Sequence, residues 1–185
     1  EDVCESHGVR LENGEKAGSF GDTSCFSFYY AHHMSTIEGG MICCNEDNTY
    51  ETLRMLRSHG MVREAVCPEV RKKWINKYSD LNEKFIFIKP AFNVRNNEIG
   101  AIIGIEQLKR LDNIIHKRKN NFELFLEKIP DKFFKNFRLK GQSNYAFNLI
   151  LNEKDNTYME KIMQKFDEEG IEFRRGSAGG GNHLR

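Results

Sequence analysis

Nothing in this sequence is in marked excess, and several things are missing from it. Basic and acidic residues nearly cancel, 28 against 27, for a formal net charge of +1. So balanced a chain offers no electrostatic footprint for nucleic acid and no attraction to an anionic membrane surface. No apolar run approaches the ~20 residues needed to span a bilayer, and the first residues lack the basic and apolar regions of a secretory leader. The five cysteines, Cys4, Cys25, Cys43, Cys44 and Cys67, show no C-x-x-C spacing. The adjacent pair Cys43-Cys44 is poorly suited to a bridge, so reduced thiols in a cytoplasmic protein are expected. No internal repeat or low-complexity stretch divides the 185 residues, and 39% hydrophobic against 30% charged is ordinary globular composition.

What is present is a readable alternation of elements. Residues 23–30 alternate and carry several aromatic side chains, which predicts a buried strand. Gly39-Gly40 breaks the pattern before Met41-Ile42-Cys43-Cys44, a second short apolar strand read as buried. Asn45-Glu46-Asp47 supplies capping side chains for a helix with Tyr50, Leu53 and Leu56 at helical spacing, ending near His59-Gly60. Residues 65–79 are polar, with Trp74 as the expected anchor, and Phe85-Ile86-Phe87-Ile88 is a candidate strand.

The clearest helix spans residues 97–127. Ile99, Ile102, Ile103, Ile105, Leu108, Leu111, Ile114 and Ile115 keep one face apolar, and Pro130 closes it. It is long enough to link two domains. Beyond it, residues 145–151 and 171–173 read as strands around an amphipathic helix at 157–169, with Gly170 as the break. Helices and strands alternate up to the long helix, which favours an α/β layer, and the remainder reads as a small α+β unit.

Taken one at a time, the chemically interesting residues have plain readings. Asp2 reads as a solvated charge, Ser27 as a strand serine bonded to neighbouring backbone, and Asn93 as a turn asparagine before a helix. His32 and His33 are adjacent, so their side chains diverge, and a zinc site needs further Cys or His at workable spacing. No metal site is expected.

Taken in order, several blocks share a pattern. They are Glu1-Asp2; Gly18-Ser19-Phe20-Gly21-Asp22; the stretch from Phe26-Ser27-Phe28 through Ala31-His32-His33 to Glu38-Gly39-Gly40; and Ala91-Phe92-Asn93-Val94-Arg95 followed by Gly104-Ile105-Glu106-Gln107-Leu108. This pattern resembles the vitamin B6-dependent sugar aminotransferases of the DegT/DnrJ/StrS family. The tail Ala178-Gly179-Gly180-Gly181-Asn182-His183-Leu184-Arg185 is similar to a loop of that family's His-containing sugar 3-dehydratase branch. The resemblance implies the α/β fold type I of PLP-dependent transferases (aspartate aminotransferase-like). Residues 1–96 would be part of the PLP-binding large domain, 97–129 the linking helix, and 130–185 part of the small α+β C-terminal domain. With no strand before Glu1-Asp2 and a loop at the other end, the chain is expected to be the middle-to-late part of a longer enzyme.

The same resemblance implies roles. In the family, the residue five places after the serine is the lysine that holds pyridoxal 5'-phosphate covalently; here it is His32. Imidazole has no primary amine, so the cofactor would be held noncovalently. Asp2 would pair with its ring nitrogen and keep the ring an electron acceptor. Ser27 would bond the phosphate, and Glu5 stands where relatives often carry Gln or His over the ring. Asn93 would reach across a homodimer interface to the partner's cofactor phosphate. The implied reaction, in deoxysugar and lipopolysaccharide biosynthesis, uses glutamate as amino donor to give pyridoxamine 5'-phosphate. A nucleotide-linked 4-keto-6-deoxy sugar then loses its 3-hydroxyl, with His32 as the base, a task suited to an unperturbed pKa of ~6.5. Two alternatives stay open: an aminotransferase of the same family, and a non-catalytic cofactor-binding or regulatory protein.

Overall fold

The computed structural model describes residues 1–175, so the glycine-rich tail at 178–185 lies outside the described residues. The chain divides into two compact units, Glu1–Glu127 with Arg138–Phe147, and Lys128–Phe137 with Asn148–Arg185. Both helices of the 97–127 stretch therefore belong to the first unit, and the second begins at Lys128.

In the first unit, β1 (Thr23–Ser27) and β2 (Gly40–Cys44) pair antiparallel, with Thr23 opposite Cys44 and Ser27 opposite Gly40. β1 ends before residue 30 because the chain turns, with His32 N donating to Tyr29 O at 3.0 Å. On its other edge β1 takes up residues 1–3 in parallel: Cys25 N donates to Glu1 O and Val3 N to Cys25 O, both at 2.9 Å. That bridge is the parallel pairing among the described residues, where the α/β layer expected from the sequence is represented by the two-stranded sheet β1-β2 and this added edge. β2 was read as buried, yet Met41, Ile42 and Cys43 are exposed. Met41 and Ile42 border an open apolar cavity of about 530 Å³ that Tyr50, Phe92 and Val94 also line.

Helix α1 (Asp47–Leu56) follows β2 after Glu46, whose side chain makes no cap hydrogen bond. The helix stops at Leu56, earlier than His59-Gly60, and the chain then leaves through two left-handed residues, His59 (φ 63°) and Gly60 (φ 75°). Gly60 N bonds back to Met55 O at 2.9 Å, closing the helix end. A Cβ at Gly60 would collide with the Lys89 carbonyl, so position 60 needs glycine twice over. Beyond it, Val62 N donates to Ile86 O and Ile88 N to Gly60 O, both at 3.0 Å. The Phe85 to Ile88 run is not a full strand: Glu83–Phe85 is a short 3₁₀ turn and only Phe87 bridges to Met61. Ile86 alone is fully buried in it, so a single inward side chain fixes the segment.

The polar stretch is helix α2 (Pro68–Lys77), begun by a proline whose missing N–H is no loss in a first turn. Trp74 is not a buried anchor. It is half-exposed and stacks on Tyr78, with centroids 6.2 Å apart and the Lys77 ammonium 5.1 Å from its ring. None of the residues of α2 is buried.

The single helix expected over 97–127 is two, α3 (Glu98–Leu108) and α4 (Leu111–Lys128). At the break Arg110 N bonds to Gln107 O rather than four residues back, tightening the ladder for one turn. The apolar spacing runs unbroken through this point, so the pattern could not reveal it. α3 does not bury its apolar face: Ile99 is 72% exposed and Ile102, Ile105 and Leu108 are exposed as well. α4 does bury Phe122 and Leu126, and its Phe122 and Phe125 meet Phe147 of the returning segment Arg138–Phe147 at 6.2 and 4.9 Å.

In the second unit, helix α5 (Asn156–Glu168) is capped by Asp155, whose carboxylate accepts from Tyr158 N at 2.9 Å. Phe133 is its most buried apolar residue, and Phe133 bridges Leu151. The strands read at 145–151 and 171–173 are not strands here. The first has only that bridge, and the second folds back on α5, with Ile171 N on Phe166 O at 2.8 Å. No helix among the described residues is long and apolar enough to cross a membrane.

One buried polar group secures the first unit. Glu51, only 7% exposed, accepts from Val66 N at 2.7 Å and Cys67 N at 2.9 Å, tying α1 to the start of α2. Glu51→Ala would leave both donors unsatisfied and should cost about 1–3 kcal/mol. Urea denaturation is the measurement, and Glu51→Gln should recover part of the loss by keeping one acceptor oxygen.

Candidate active site

The parallel pairing of residues 1–3 with β1 builds the floor of the site. Paired residues share a face and side chains alternate along a strand, so Asp2, Cys25 and Ser27 point to one side, and Val3 and Ser24 to the buried side. Glu1 locks the arrangement. Its carboxylate accepts from Gly18 N at 2.7 Å, Phe20 N at 2.9 Å and Gly21 N at 2.6 Å, gathering the glycine loop against the strand. Burial pushes the Glu1 carboxyl up, but the three N–H groups outweigh it and the net shift is downward.

Asp2 accepts from Cys4 N at 3.0 Å. Its carboxyl is held below the usual range chiefly by that N–H and then by the Cys4 thiol, with burial opposing and nearby positive charge, His32 included, assisting. Asp2 is thus a fixed anion beside a residue able to carry a proton. The Cys4 thiol is pushed up to about 11 by burial first and by Asp2 second, so it stays protonated. Ser27 Oγ accepts from Tyr29 N at 3.3 Å and keeps its proton to donate.

His32 sits on the turn after β1 and is half-buried. Its Nδ1 is enclosed with no hydrogen-bond partner among the described residues. Two aromatic rings stand edge-on to the imidazole: Tyr29 at 5.5 Å between centroids and 73°, and Tyr145 at 5.4 Å and 82°. Behind it lie two buried histidines. His7, which carried no signal in the sequence as a lone histidine in a polar stretch, packs against Phe26, Phe28 and His33 at 5.6, 6.1 and 5.6 Å. Burial, then the neighbouring His32, lowers the His7 pKa. His33 is lowered to about 4, by burial first, then by Arg118 and His7, with the Ser143 backbone offsetting a little. Burial favours the neutral form of both rings, whereas His32 lies nearer solvent.

The other expected residues lie differently. Glu5 is exposed one residue beyond Cys4. Asn93 belongs to a separate neighbourhood, bridging Ser58 and accepting from Arg95 Nε at 3.1 Å. Asp2 thus lies opposite the middle of β1, Ser27 closes that strand and His32 follows on its turn, and the structure does not bring Asn93 to them. Tyr145 was read only as part of a strand, and its approach to His32 depends on a return of the chain that no local pattern shows.

A negatively charged group held ionised by backbone donors, a hydroxyl donor and an imidazole with an enclosed, unpartnered nitrogen suit a cationic aromatic ring bearing an anionic tail. That donor set fits pyridoxal or pyridoxamine phosphate.

Comparison with known proteins agrees in character. Residues 1–175 match the model of the DegT/DnrJ/EryC1/StrS aminotransferase family. The chain is 37% identical over 177 residues to a GDP-4-keto-6-deoxy-D-mannose 3-dehydratase of Yersinia pseudotuberculosis, covering 94% of this chain and 44% of the relative. It is 30% identical over 179 residues to a GDP-perosamine synthase of Caulobacter vibrioides, covering 94% of this chain and 43% of the relative. Among solved structures, the Escherichia coli GDP-4-keto-6-deoxy-D-mannose-3-dehydratase with bound hydrated PLP superposes with a TM-score of 0.72 at 31% identity, covering 93% of this chain and 44% of that one. The chain thus spans less than half the length of these relatives.

The depressed pKa of His33 gives a signed expectation. Its folded value, about 4, lies below the ordinary 6.5, so the unfolded chain binds more protons between these values and stability falls as pH drops from 6.5 to 4. The loss attributable to this ring is at most about 3 kcal/mol. Urea titrations at pH 7, 5.5 and 4 should show a shallower acid loss in His33→Gln than in the unmodified chain.

Proposed function

This chain belongs to the DegT/DnrJ/EryC1/StrS aminotransferase family, and from that premise we propose that it is part of a pyridoxal/pyridoxamine phosphate-dependent enzyme that removes the 3-hydroxyl of a nucleotide-linked 4-keto-6-deoxy sugar. Glutamate is the proposed amino donor, and the setting is cytoplasmic deoxysugar biosynthesis of the kind that feeds lipopolysaccharide. The observation that carries the reading is His32: an imidazole, with no primary amine, occupies the end of β1 next to an ionised Asp2 and the Ser27 hydroxyl. In this proposal the first unit is part of the large cofactor-binding domain and the second part of the small α+β domain.

When bound, the cofactor supplies an amino group and an electron sink for the sugar. The chain's own residues do the rest. Asp2 stays anionic and holds the ring nitrogen protonated, because the Cys4 N–H favours its charged form. Ser27 donates to the phosphate, and Glu5 borders the ring. His32 takes up and returns a proton at Nε2, since Nδ1 is enclosed. His7 and His33, kept neutral by burial, add no competing positive charge.

Assembly as a homodimer belongs to the same proposal, with Asn93 serving the partner's cofactor phosphate. Phe92 and Val94, which flank Asn93, are 78% and 67% exposed, and α3 offers a further row of exposed isoleucines. So much uncovered apolar surface beside one polar residue suits a covered interface. Sedimentation of the full-length protein should show a dimer, and a monomer with full activity would defeat this part of the reading.

Two experiments test the chemistry. Borohydride treatment of the full-length holoenzyme should leave the cofactor detachable, since no lysine amine binds it at position 32. With glutamate and a nucleotide-linked 4-keto-6-deoxy sugar, mass spectrometry should show loss of the 3-oxygen. His32→Asn should lower kcat by about 100-fold or more while cofactor affinity is retained. A product keeping the 3-hydroxyl and gaining a 4-amino group would assign the aminotransferase activity instead, the reading favoured by likeness to the GDP-perosamine synthase.

A further inference from the structure

We infer that Tyr145 is a positioning residue for His32, an aromatic brace brought to the imidazole by Arg118 in place of the hydrogen bond that usually orients a catalytic histidine. The inference rests on the reading of His32 as the proton carrier. A base on a turn needs its ring held in one plane, and the common device is a carboxylate or carbonyl on the second ring nitrogen. His32 lacks that device, for Nδ1 is enclosed without a partner among the described residues. What touches the ring is aromatic. Tyr29 comes from the same turn and moves with it, whereas Tyr145 stands on another segment and meets the imidazole at 5.4 Å and 82°. In this edge-to-face geometry, rotation of the imidazole would sacrifice a favourable ring contact.

The segment that carries Tyr145 is held for the purpose at several points. Arg118 of α4 donates through Nη1 to Asn144 O at 3.3 Å and to Tyr145 O at 3.1 Å. Arg10 N donates to Gly141 O at 2.8 Å. Gly141 has φ 78°, and a Cβ there would strike the Arg10 carbonyl, so glycine is what lets the two backbones meet. Phe147, packed on Phe125 at 4.9 Å, fixes the far end. Tyr145 is thus the tip of a strap tied on both sides, and α4 reaches the candidate site through it.

The test uses the full-length holoenzyme with isotope-labelled histidine, the His32 resonance being assigned by its loss in His32→Gln. Tyr145→Leu should shift and broaden that resonance and lower kcat about 10- to 100-fold, the scale of a misplaced catalytic group, with KM and cofactor affinity little changed. Tyr145→Phe keeps the ring and should restore both signal and turnover. Arg118→Met, which frees the strap without touching either ring, should move the His32 resonance in the same direction. An unmoved resonance with kcat within about twofold of normal in both Tyr145→Leu and Arg118→Met would overturn the brace. So would Tyr145→Phe failing as badly as Tyr145→Leu, since the hydroxyl would then be the active part. Should His32→Gln itself leave turnover intact, the proton-carrier reading fails, while the resonance shift still reports whether Tyr145 orients the ring.

Discussion

Two backbone hydrogen bonds, Cys25 N to Glu1 O and Val3 N to Cys25 O, are the constraint on which the candidate site depends. They set the register of Asp2 against β1 and so decide that a carboxylate and the Ser27 hydroxyl share a face. The neighbouring Glu1 carboxylate then gathers three N–H groups of the glycine loop, which makes the register costly to slip. A contact between residues more than twenty positions apart has become a fixed chemical arrangement. The order Glu1-Asp2 thereby divides labour, one acid for structure and the next for the site.

Environment divides the histidines in the same way. Three imidazoles lie close together, and identical side chains would titrate alike in water. Burial separates them: His7 and His33 are confined among rings and lose their affinity for protons, while His32, on the turn, keeps one side toward the face shared by Asp2 and Ser27. Packing rather than residue type thus sets the two buried rings apart from the third.

Much of this was legible in the sequence where the signal is local. Alternation placed β1 and β2 to within a few residues, and the amphipathic period found α5 to within one residue at each end. Motif order brought attention to Asp2, Ser27 and His32, which the fold places beside β1, at its end and on the turn after it. What failed did so for physical reasons. The 145–151 and 171–173 runs have strand composition, but a strand exists only with a partner, and pairing is not written in the run itself. The turn at Lys109-Arg110 interrupts a helix whose apolar spacing continues undisturbed. Glu51, His7 and Tyr145 were invisible because each acquires its role from residues far along the chain. Burial was misjudged for β2, because apolar composition alone does not say that a side chain is covered within these residues.

The path of the chain between its two units carries one more implication. It leaves the first unit at Lys128, returns to it from Arg138 to Phe147, and leaves again at Asn148. Such a double crossing forbids modular exchange. A cut after Glu127 would strip the first unit of the segment that returns to it, and replacing everything after Glu127 with a homologue's chain would import a foreign tyrosine position along with the second unit. Recombination that respects this architecture must move residues 128–147 with the helix they come from, so the lineage of the small unit and the tuning of the histidine site are inherited together.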